Sequence, residues 1–335
     1  MEDEKFMKRC IALAKKGYGY TYPNPLVGCV IVHKGKIISE GWHKKAGESH
    51  AEKEAIEKIK DKSILKKVTL YVNLEPCNHF GKTPPCSDLI VKMKIPRIVI
   101  GTLDFNHKVY NKGVSKLKEN GCEVITGVLE KECVKLNCRF FTFHKKKRPY
   151  ITLKWAESKD GFTAPKDPSQ KYWLSHALSK QLVHKWRTQE QAIMIGVNTA
   201  ITDNPKLNSR DWYGKDPTAI VIDPKNRLSK ESFLYRNKKK NNLLVVKSKK
   251  INLKNVELKT EDLISFLYEK NIQSVIIEGG SKTLSFFIKN NLWDEAKIFK
   301  TKVKLGNGLV SPKLEEKEKT IISIGTDKLH TYINF

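Results

Sequence analysis

Hydrophobic and polar residues recur with two different periods along the first half of the chain, one typical of helices and one typical of strands. The segment FMKRCIALAKKG (6–17) has the spacing of an amphipathic helix ending at Gly17, whereas LVGCVIVHKGKIISEGW (26–42) predicts a β-hairpin turning at Lys34-Gly35. The following segments alternate: helix AEKEAIEKIK (51–60), strand VTLYVNL (68–74), helix CSDLIVKMK (86–94), strand RIVIGTL (97–103) and helix GVSKLKENG (113–121). Strands separated by helices predict a three-layer α/β domain with some parallel pairing.

A second α/β pattern follows FHKKKRPY (143–150), which has the composition of a linker. The predicted strands are YITLKWAES (150–158), AIMIGV (192–197), TAIVID (218–223), NLLVVKS (242–248), SVIIEGG (274–280), EAKIFKTKVKL (295–305) and LHTYINF (329–335), and the predicted helices are SKQLVHKWRTQ (179–189) and KTLSFFIKNNL (282–292). Because 335 residues exceed the roughly 250 to 300 that one core supports, we expect two domains. We place them at 1–146 and 147–335, with the boundary near Lys146.

The formal net charge of +27 raises the question of a nucleic-acid partner. The basic residues are mostly lysines in short scattered runs such as HKKKR (144–148) and NKKK (237–240), without interleaved aromatic residues, so we expect solvated surfaces and no nucleic-acid binding. Anionic substrates would nevertheless be favoured. No apolar run approaches the roughly 20 residues that span a bilayer, and the charged start MEDEKFMKRC fits neither a secretory signal nor a transit peptide. We therefore predict a cytoplasmic protein that does not associate with membranes.

Seven cysteines form an odd and unpatterned set. Disulfides are not expected, and the alternatives are metal binding or burial in the core. A core position is the favoured interpretation for Cys10, Cys29, Cys122, Cys133 and Cys138. Cys77 and Cys86 remain as candidates for chemistry.

Two separate motifs carry candidate metal ligands. In ESHAEKEAI, His50 stands two residues before Glu52. On a regular helix these side chains would point about 200° apart, so they can meet only if His50 sits at the helix entry, outside helical geometry. In LEPCNHFGKTPPCSDLI, Cys77 follows a strand and Cys86 opens a helix. A helix N-terminus favours the thiolate that binds metal.

His50, Cys77 and Cys86 match a catalytic zinc site whose fourth position is left to water. Glu52 is then free to move protons between that water and a leaving amine. The H-x-E and P-C pattern is the one described for zinc nucleobase deaminases, although this chain has a longer loop, NHFGKTPP, between its cysteines. The loop brings His79 and Lys82 near the metal, where the alternative is two solvated basic side chains.

The motifs PNPLVGCV, HAE and EPCNHFGKTPPC resemble the N-terminal domain of the bacterial bifunctional riboflavin-biosynthesis deaminase/reductase family. The resemblance implies a cytidine-deaminase-like three-layer α/β/α fold that hydrolyses the amine from a diaminopyrimidinone carrying a ribosylamine phosphate. It assigns zinc to His50, Cys77 and Cys86, and the proton shuttle to Glu52. It assigns substrate contacts to Asn24, His43, His79, Lys82, Asp104 and Asn106. The family usually has D-P-N-P where this chain has DFNH (104–107), so both prolines of that loop are absent.

In the second domain, SVIIEGGSKTLSFF predicts a buried strand that runs through Glu278-Gly279-Gly280 into a helix. Glycines permit close backbone approach, and a helix N-terminus offers free N–H groups to a phosphate. An ordinary tight turn is the alternative. No G-x-G-x-x-G follows a strand, which argues against a Rossmann dinucleotide fold.

The segments ESKDGFTA, YWLS, KWRTQEQAIMIGVNTAITDNPKLNSR and TAIVID follow in the order found in the reductase domain of the same family. The resemblance implies a dihydrofolate-reductase-like α/β fold that uses NADPH to open the ribose ring. Cofactor contacts would come from Trp173, Thr199, Asp203, Gly280, Ser281, Lys282 and Thr283. Substrate contacts would come from Lys171 or, with a shift of register, Ser169, and from Arg187, Leu207, Arg210 and Glu278. The alternatives are a core position for Trp173, a helix-face cation for Arg187 and an N-terminal cap for Asp203.

Together the two halves predict a multifunctional enzyme, a zinc-dependent hydrolase followed by an NADPH-dependent oxidoreductase. We expect one Zn²⁺ per chain, a small phosphorylated pyrimidine as substrate, and a homo-oligomer. One alternative is a tRNA or nucleotide zinc deaminase with an accessory domain, which the basic charge favours. Another is a non-catalytic binding protein that keeps the metal for stability, against which the presence of Glu52 argues.

Overall fold

The computed structural model describes residues 2–78, 84–105, 111–167, 173–239, 242–247, 259–315 and 318–334. The chain separates into two units, Met1–Lys147 and Arg148–Phe335. Among the described residues, no helix combines the length and the apolar character that crossing a membrane requires.

Helices and one mixed sheet build the first unit. The helices are α1 (Glu2–Ala14), α2 (Ala51–Glu57), α3 (Cys86–Lys92), α4 (Lys112–Glu119), α5 (Glu130–Leu136) and α6 (Cys138–Lys146), with 3₁₀ helices at Lys15–Gly17 and Lys62–Lys67. The strands are β1 (Gly28–His33), β2 (Lys36–Trp42), β3 (Thr69–Leu74), β4 (Arg97–Thr102) and β5 (Glu123–Thr126). Their order in the sheet is β2-β1-β3-β4-β5, with β3, β4 and β5 parallel and β1 antiparallel to both of its neighbours.

Alternation along β1 produces the three layers. Cys29 and Ile31 pack with α2 in one apolar cluster, whereas Val30 and Val32 pack with α1 in another. Successive side chains of a strand point to opposite faces, so a strand that is apolar at every position must be covered on both. The predicted three-layer arrangement of the first half is therefore confirmed.

The predicted hairpin turn is also confirmed, because β1 ends at His33 and β2 begins at Lys36. Lys34 and Gly35 both have positive φ, +48° and +71°. Two positive φ values are the signature of a type I′ turn, whose twist matches that of the two strands it joins.

The second unit is built on a larger sheet. Its helices are α7 (Ala177–Gln189), α8 (Val197–Asp203), α9 (Phe233–Arg236), α10 (Thr260–Glu269) and α11 (Ser281–Lys289). Its strands are β6 (Tyr150–Glu157), β7 (Phe162–Ala164), β8 (Ala192–Gly196), β9 (Thr218–Ile222), β10 (Leu244–Val246), β11 (Ser274–Gly279), β12 (Glu295–Lys300), β13 (Leu309–Val310), β14 (Thr320–Ile324) and β15 (Asp327–Ile333).

Eight of these strands form one sheet in the order β10-β9-β8-β11-β6-β12-β15-β14, and β13 pairs with β7. The strands from β10 to β12 in that order are parallel, and β15 is antiparallel to both β12 and β14. Apolar clusters cover both faces of this sheet. The carboxyl ends of β9, β8 and β11 consequently lie side by side, at the edge where open parallel sheets bind ligands.

The interpretation of 143–150 as a linker is wrong over most of its length. Residues up to Lys146 belong to α6, and Tyr150 already begins β6. Phe140, Phe141 and Phe143 of α6 are buried, so their packing outweighs the charge of the lysines that follow.

All seven cysteines are free, so the expectation that they form no disulfides is confirmed. Cys10, Cys29 and Cys133 are buried, as predicted for core positions. Cys122 and Cys138 are half-buried, so the prediction of a core position is wrong for these two. Cys122 immediately precedes the edge strand β5, and Cys138 is the first residue of α6.

Candidate active sites

Three candidate metal-binding side chains meet in the first unit. His50 is the N-cap residue of α2, with an extended backbone (φ −71°, ψ 159°), so it lies outside the helix as its spacing from Glu52 requires. Cys77 follows the carboxyl end of β3, and Cys86 is the first residue of α3. Nδ1 of His50 lies 3.5 Å from Sγ of Cys77 and 3.3 Å from Sγ of Cys86. The three ligand atoms all lie within 4.8 Å of one another.

This donor set fits a zinc ion. With Zn–S bonds of about 2.3 Å and Zn–N bonds of about 2.0 to 2.1 Å, tetrahedral ligand atoms lie roughly 3.5 to 3.8 Å apart. The thiol of Cys86 hydrogen-bonds to Cys77 and lowers the pKa of Cys77, and the same contact raises the pKa of Cys86. The backbone N–H of Cys86 also donates to Sγ of Cys77, at 3.3 Å. Among the described residues, this is the one group of three His, Cys, Asp or Glu side chains that could hold a metal.

Glu52 lies next to these ligands, in the first turn of α2, and is 3% exposed. Burial raises the pKa of its carboxyl to about 7, and the negative charge of Cys77 acts in the same direction. His50 acts in the opposite direction. A carboxyl with a pKa near neutrality can both accept and release a proton under working conditions.

Asn24 and His43, two predicted substrate residues, are hydrogen-bonded to each other. The amide nitrogen of Asn24 lies 3.0 Å from Nε2 of His43, and Nδ1 of His43 lies 3.1 Å from the carbonyl oxygen of Ser49. These partners assign Nδ1 as the donor to Ser49 and Nε2 as the acceptor from Asn24. Burial lowers the pKa of His43, and its ring packs edge-on against His50 with the centroids 5.4 Å apart. The structure thus brings this pair beside the ligand cluster.

Asp104 follows the carboxyl end of β4 and is buried. Its backbone N–H donates to the carboxylate of Glu75, at 3.1 Å. The predicted contacts His79, Lys82, Asn106, Lys171 and Ser169 lie outside the described residues.

In the second unit, the glycine turn after β11 meets the start of α8. Gly279 has φ +150°, a conformation that side chains rarely adopt, and Gly280 is the N-cap of α11. Oγ1 of Thr199 lies 2.9 Å from the position that a Cβ on Gly280 would take. A Cβ on Gly196 would likewise overlap the side chain of Thr283. Two helix starts therefore lie close together at the ends of β8 and β11, which favours binding of an anionic group.

Arg187 and Glu278 form a buried, bidentate ion pair. Nε and Nη2 of Arg187 each lie 2.7 Å from a carboxylate oxygen of Glu278, and Nη1 donates to the carbonyl of Asn208, also at 2.7 Å. The positive charge of Arg187 lowers the pKa of Glu278 to about 2, against the effect of burial. Leu207, which precedes Asn208, is buried and has a positive φ of +50°. The arginine thus holds the loop that carries two of the predicted substrate residues, Leu207 and Arg210.

The structure decides the alternatives left open for three residues. Trp173 is 72% exposed, so it is not a core residue. Asp203 is the last residue of α8, so it is not an N-terminal cap. The side chain of Arg187 is 12% exposed and pairs with Glu278, so it is not a solvated helix-face cation. A core or capping role thus explains none of these three residues.

Two polar residues near this ion pair were not predicted. Lys154 lies on β6, where burial lowers its pKa while Glu278 raises it. A lysine inside the apolar run YITLKWA is the signal that could have identified it. His184 lies one turn before Arg187 on α7 and is 2% exposed, with Nε2 3.3 Å from Oδ2 of Asp211. Nothing in its local sequence distinguishes it from an ordinary helix residue.

Comparison with known families matches both halves. Residues 1–102 match the family "Cytidine and deoxycytidylate deaminase zinc-binding region", and residues 149–329 match the family "RibD C-terminal domain". The protein named riboflavin biosynthesis protein RibD from Aquifex aeolicus is 37% identical to this chain, over 97% of this chain and 96% of its own length. The protein of the same name from Actinobacillus pleuropneumoniae is 40% identical, over 84% and 78%.

Solved structures agree with these matches. Acinetobacter baumannii RibD superposes with a TM-score of 0.89 at 31% identity, over 99% of this chain and 98% of that chain. The diaminohydroxyphosphoribosylaminopyrimidine deaminase/5-amino-6-(5-phosphoribosylamino)uracil reductase from Thermotoga maritima also gives 0.89, at 36% identity and 98% coverage of both chains. The predicted fold class, a deaminase-like domain followed by a reductase-like α/β domain, is confirmed.

The buried His184 gives a pH-dependent stability that can be measured. Burial lowers its pKa from 6.5 to about 4, so the unfolded chain binds a proton that the folded chain does not. This contribution is fully present above pH 6.5 and is lost as the pH falls toward 4. Between pH 7.5 and pH 5.0, the free energy of unfolding of the wild type should fall by about 2 kcal/mol more than that of His184→Gln.

Urea titrations at the two pH values, followed by tryptophan fluorescence, measure this difference. Five of the six tryptophans lie after residue 148, so the signal comes mainly from the second unit. Equal acid sensitivity of the two proteins would show that His184 is protonated as readily in the folded state as in the unfolded one.

Proposed function

The chain belongs to the RibD family of bifunctional riboflavin biosynthesis enzymes, and from this membership we propose which of its residues carry each reaction. The deaminase acts first and removes an amine from 2,5-diamino-6-(5-phosphoribosylamino)pyrimidin-4(3H)-one. The reductase then converts the ribosyl group to a ribityl chain with NADPH. The observation that carries the first assignment is the convergence of His50, Cys77 and Cys86 beside the buried Glu52.

In the deaminase, His50, Cys77 and Cys86 would hold one zinc ion per chain. When bound, zinc supplies the acidity that lets a water molecule act as a nucleophile at neutral pH. Glu52 would take a proton from the attacking water and deliver it to the departing amine, which would leave as ammonia. Because Glu52 is buried beside the three candidate ligands, it would exchange protons with groups inside the site and not with bulk water.

Substrate binding in the deaminase would use Asn24, His43 and Asp104, together with His79, Lys82 and Asn106. The hydrogen bonds of His43 fix its ring and the Asn24 amide beside it, and this amide would meet a polar edge of the pyrimidine. Lys82 and His79 would supply positive charge to the phosphate end of the substrate, which the net charge of the chain also favours.

In the reductase, the turn Gly280-Ser281-Lys282-Thr283 would bind the phosphates of NADPH, with Thr199, Asp203 and Trp173 as further contacts. Glycine at the start of α11 lets the backbone N–H groups reach an anion, and the nearby Thr199 side chain adds a hydroxyl. The bound nicotinamide supplies the hydride.

The sugar phosphate and the ring of the deaminated product would be held by Arg187, Leu207, Arg210 and Glu278, with Lys171 or Ser169. Arg210 is exposed, its Nη1 donates to the side chain of Asn208 and its Nε lies 4.0 Å from Oδ1 of Asp211, so its remaining N–H groups would meet the phosphate. Arg187 would act partly by holding the Asn208 backbone. We also propose that the enzyme is a cytoplasmic homo-oligomer.

A single coupled assay tests the function. Purified protein given the diaminopyrimidine phosphate and NADPH should release ammonia and oxidise NADPH, which is followed as a fall in nicotinamide absorbance. Metal analysis should give one zinc per chain. Removal of zinc by a chelator should abolish ammonia release but leave reduction of the already deaminated product intact. Ammonia release from a tRNA in place of the pyrimidine would support the alternative, a tRNA deaminase.

Substitution of Glu52 tests the proton shuttle. Glu52→Gln should lower the rate of ammonia release by about 10² to 10⁴-fold, because proton transfer by a positioned carboxyl contributes about that much. Zinc content and reductase activity should stay at the wild-type level, since Gln keeps the size of the side chain.

Glu57→Gln is the matched control. Glu57 lies on the same helix, and its side chain is 58% exposed and pairs with Lys53. This variant should deaminate at the wild-type rate. An unchanged rate of ammonia release by Glu52→Gln would contradict the proposed role of Glu52 as the proton shuttle.

A further inference from the structure

A second buried carboxylate, that of Glu75, lies two residues before the ligand Cys77 and is 4% exposed. Four backbone N–H groups donate to it. Oε2 accepts from Asp104 and Asn111, both at 3.1 Å. Oε1 accepts from Gly113 at 2.9 Å and from Val114 at 3.3 Å. None of these donors belongs to β3, the strand that Glu75 immediately follows.

These four donors lie at both ends of the connection between β4 and α4. Asp104 stands just after β4, while Asn111 is the N-cap of α4 and Gly113 and Val114 lie in its first turn. The backbone N–H of Glu75 also donates to the carbonyl of Thr102, the last residue of β4, at 2.9 Å. One residue therefore fixes where the connection leaves the sheet and where it enters the helix.

The first turn of α4 packs so closely against the backbone after Glu75 that no side-chain atom fits at Gly113. A Cβ on Gly113 would overlap the carbonyl oxygen of Pro76 and would lie 3.2 Å from Oε1 of Glu75. The first turn of α4 thus rests directly on the backbone that leads through Pro76 to Cys77. Asp104, α4 and the metal ligand are connected through this single contact region.

An ionised carboxylate suits this place because it is purely an acceptor, with two oxygens for four donors. An amide of the same shape would turn its NH₂ group toward two N–H groups and lose both hydrogen bonds. The four hydrogen bonds therefore depend on the two acceptor oxygens of the carboxylate and not on the size of the side chain.

We propose that Glu75 is a positioning residue of the deaminase, which holds Asp104 at a fixed place relative to the ligand Cys77. The inference rests on the proposed function, since it takes Asp104 to be a substrate contact. Among the described residues, the hydrogen bonds to the Glu75 carboxylate come from backbone N–H groups and not from the side chains of the metal ligands. Its loss should weaken substrate binding more than the chemical step, because Glu52 and the three metal ligands stay in place.

Glu75→Gln tests this role in the full-length enzyme. The KM for the diaminopyrimidine phosphate should rise by about tenfold or more, while kcat stays within about threefold, which is the pattern of lost binding. Zinc should remain at one per chain. Reductase activity on the deaminated product, measured in the same sample, should be unchanged and serves as the internal control for folding.

Glu75→Asp keeps the charge and both acceptor oxygens but withdraws them by one methylene, so it should also raise KM, by less than Glu75→Gln. It decides the question by itself if Glu75→Gln does not yield folded protein. Glu123→Gln is the matched control, because Glu123 lies on β5 of the same sheet, and its side chain is 63% exposed and faces Arg97. That variant should keep the wild-type KM.

Three results would overturn the inference. An unchanged KM in both variants would show that the four hydrogen bonds do not place Asp104. A loss of zinc would assign Glu75 to the metal centre, and a parallel loss of reductase activity would assign it to general folding. Absence of ammonia release from the wild type would instead contradict the proposed function, and is thereby distinguished from a failure of this inference.

Discussion

The chemistry proposed for the first half depends on the approach of one imidazole nitrogen to two sulfurs, at 3.5 and 3.3 Å. Each of the three side chains stands at the end of an element and not within one. His50 caps α2, Cys86 begins α3, and Cys77 follows β3. Residues at the ends of helices and strands can direct their side chains to a common point. The sheet holds these ends at fixed positions relative to one another.

The two buried carboxylates, one in each half, have pKa values shifted in opposite directions because their charged partners differ. Glu52 and Glu278 are both removed from water, which by itself raises a carboxyl pKa. Glu52 lies near a thiolate, and its pKa is raised to about 7. Glu278 is held in a fork by Arg187, and its pKa is lowered to about 2. The first can exchange a proton near neutrality, whereas the second remains a fixed negative charge.

A buried ion pair such as Arg187–Glu278 is not explained by stability alone. The cost of removing both charges from water often equals or exceeds their attraction, so an apolar pair would serve a core as well. Its place at the carboxyl edge of the sheet, next to Lys154 and the Asn208 backbone, supports a role in binding a polar ligand. The same reasoning applies to Lys154, whose charge would be costly in a strand that served only the core.

The sequence by itself determined what depends on neighbours along the chain. The alternation in β1, the turn at Lys34-Gly35, and the position of His50 outside α2 follow from local periodicity and backbone geometry. The motifs around the two cysteines also sufficed to indicate the family. By contrast, the pattern predicts a linker from residue 143, where the last residues of α6 lie, because the burial of Phe143 is recognisable only in its packed environment.

Only the tertiary structure decided which polar groups meet. The bond between Asn24 and His43, the four N–H groups around Glu75, and the contact of His184 with Asp211 all join residues that lie far apart along the chain. Hydrogen bonds form only between atoms about 3 Å apart. The periodic pattern of a sequence indicates which face of a helix or strand a side chain occupies, but it does not identify the residue that contacts it from another element. Those partners become defined once the sheets are assembled, because strand order brings distant segments to one edge.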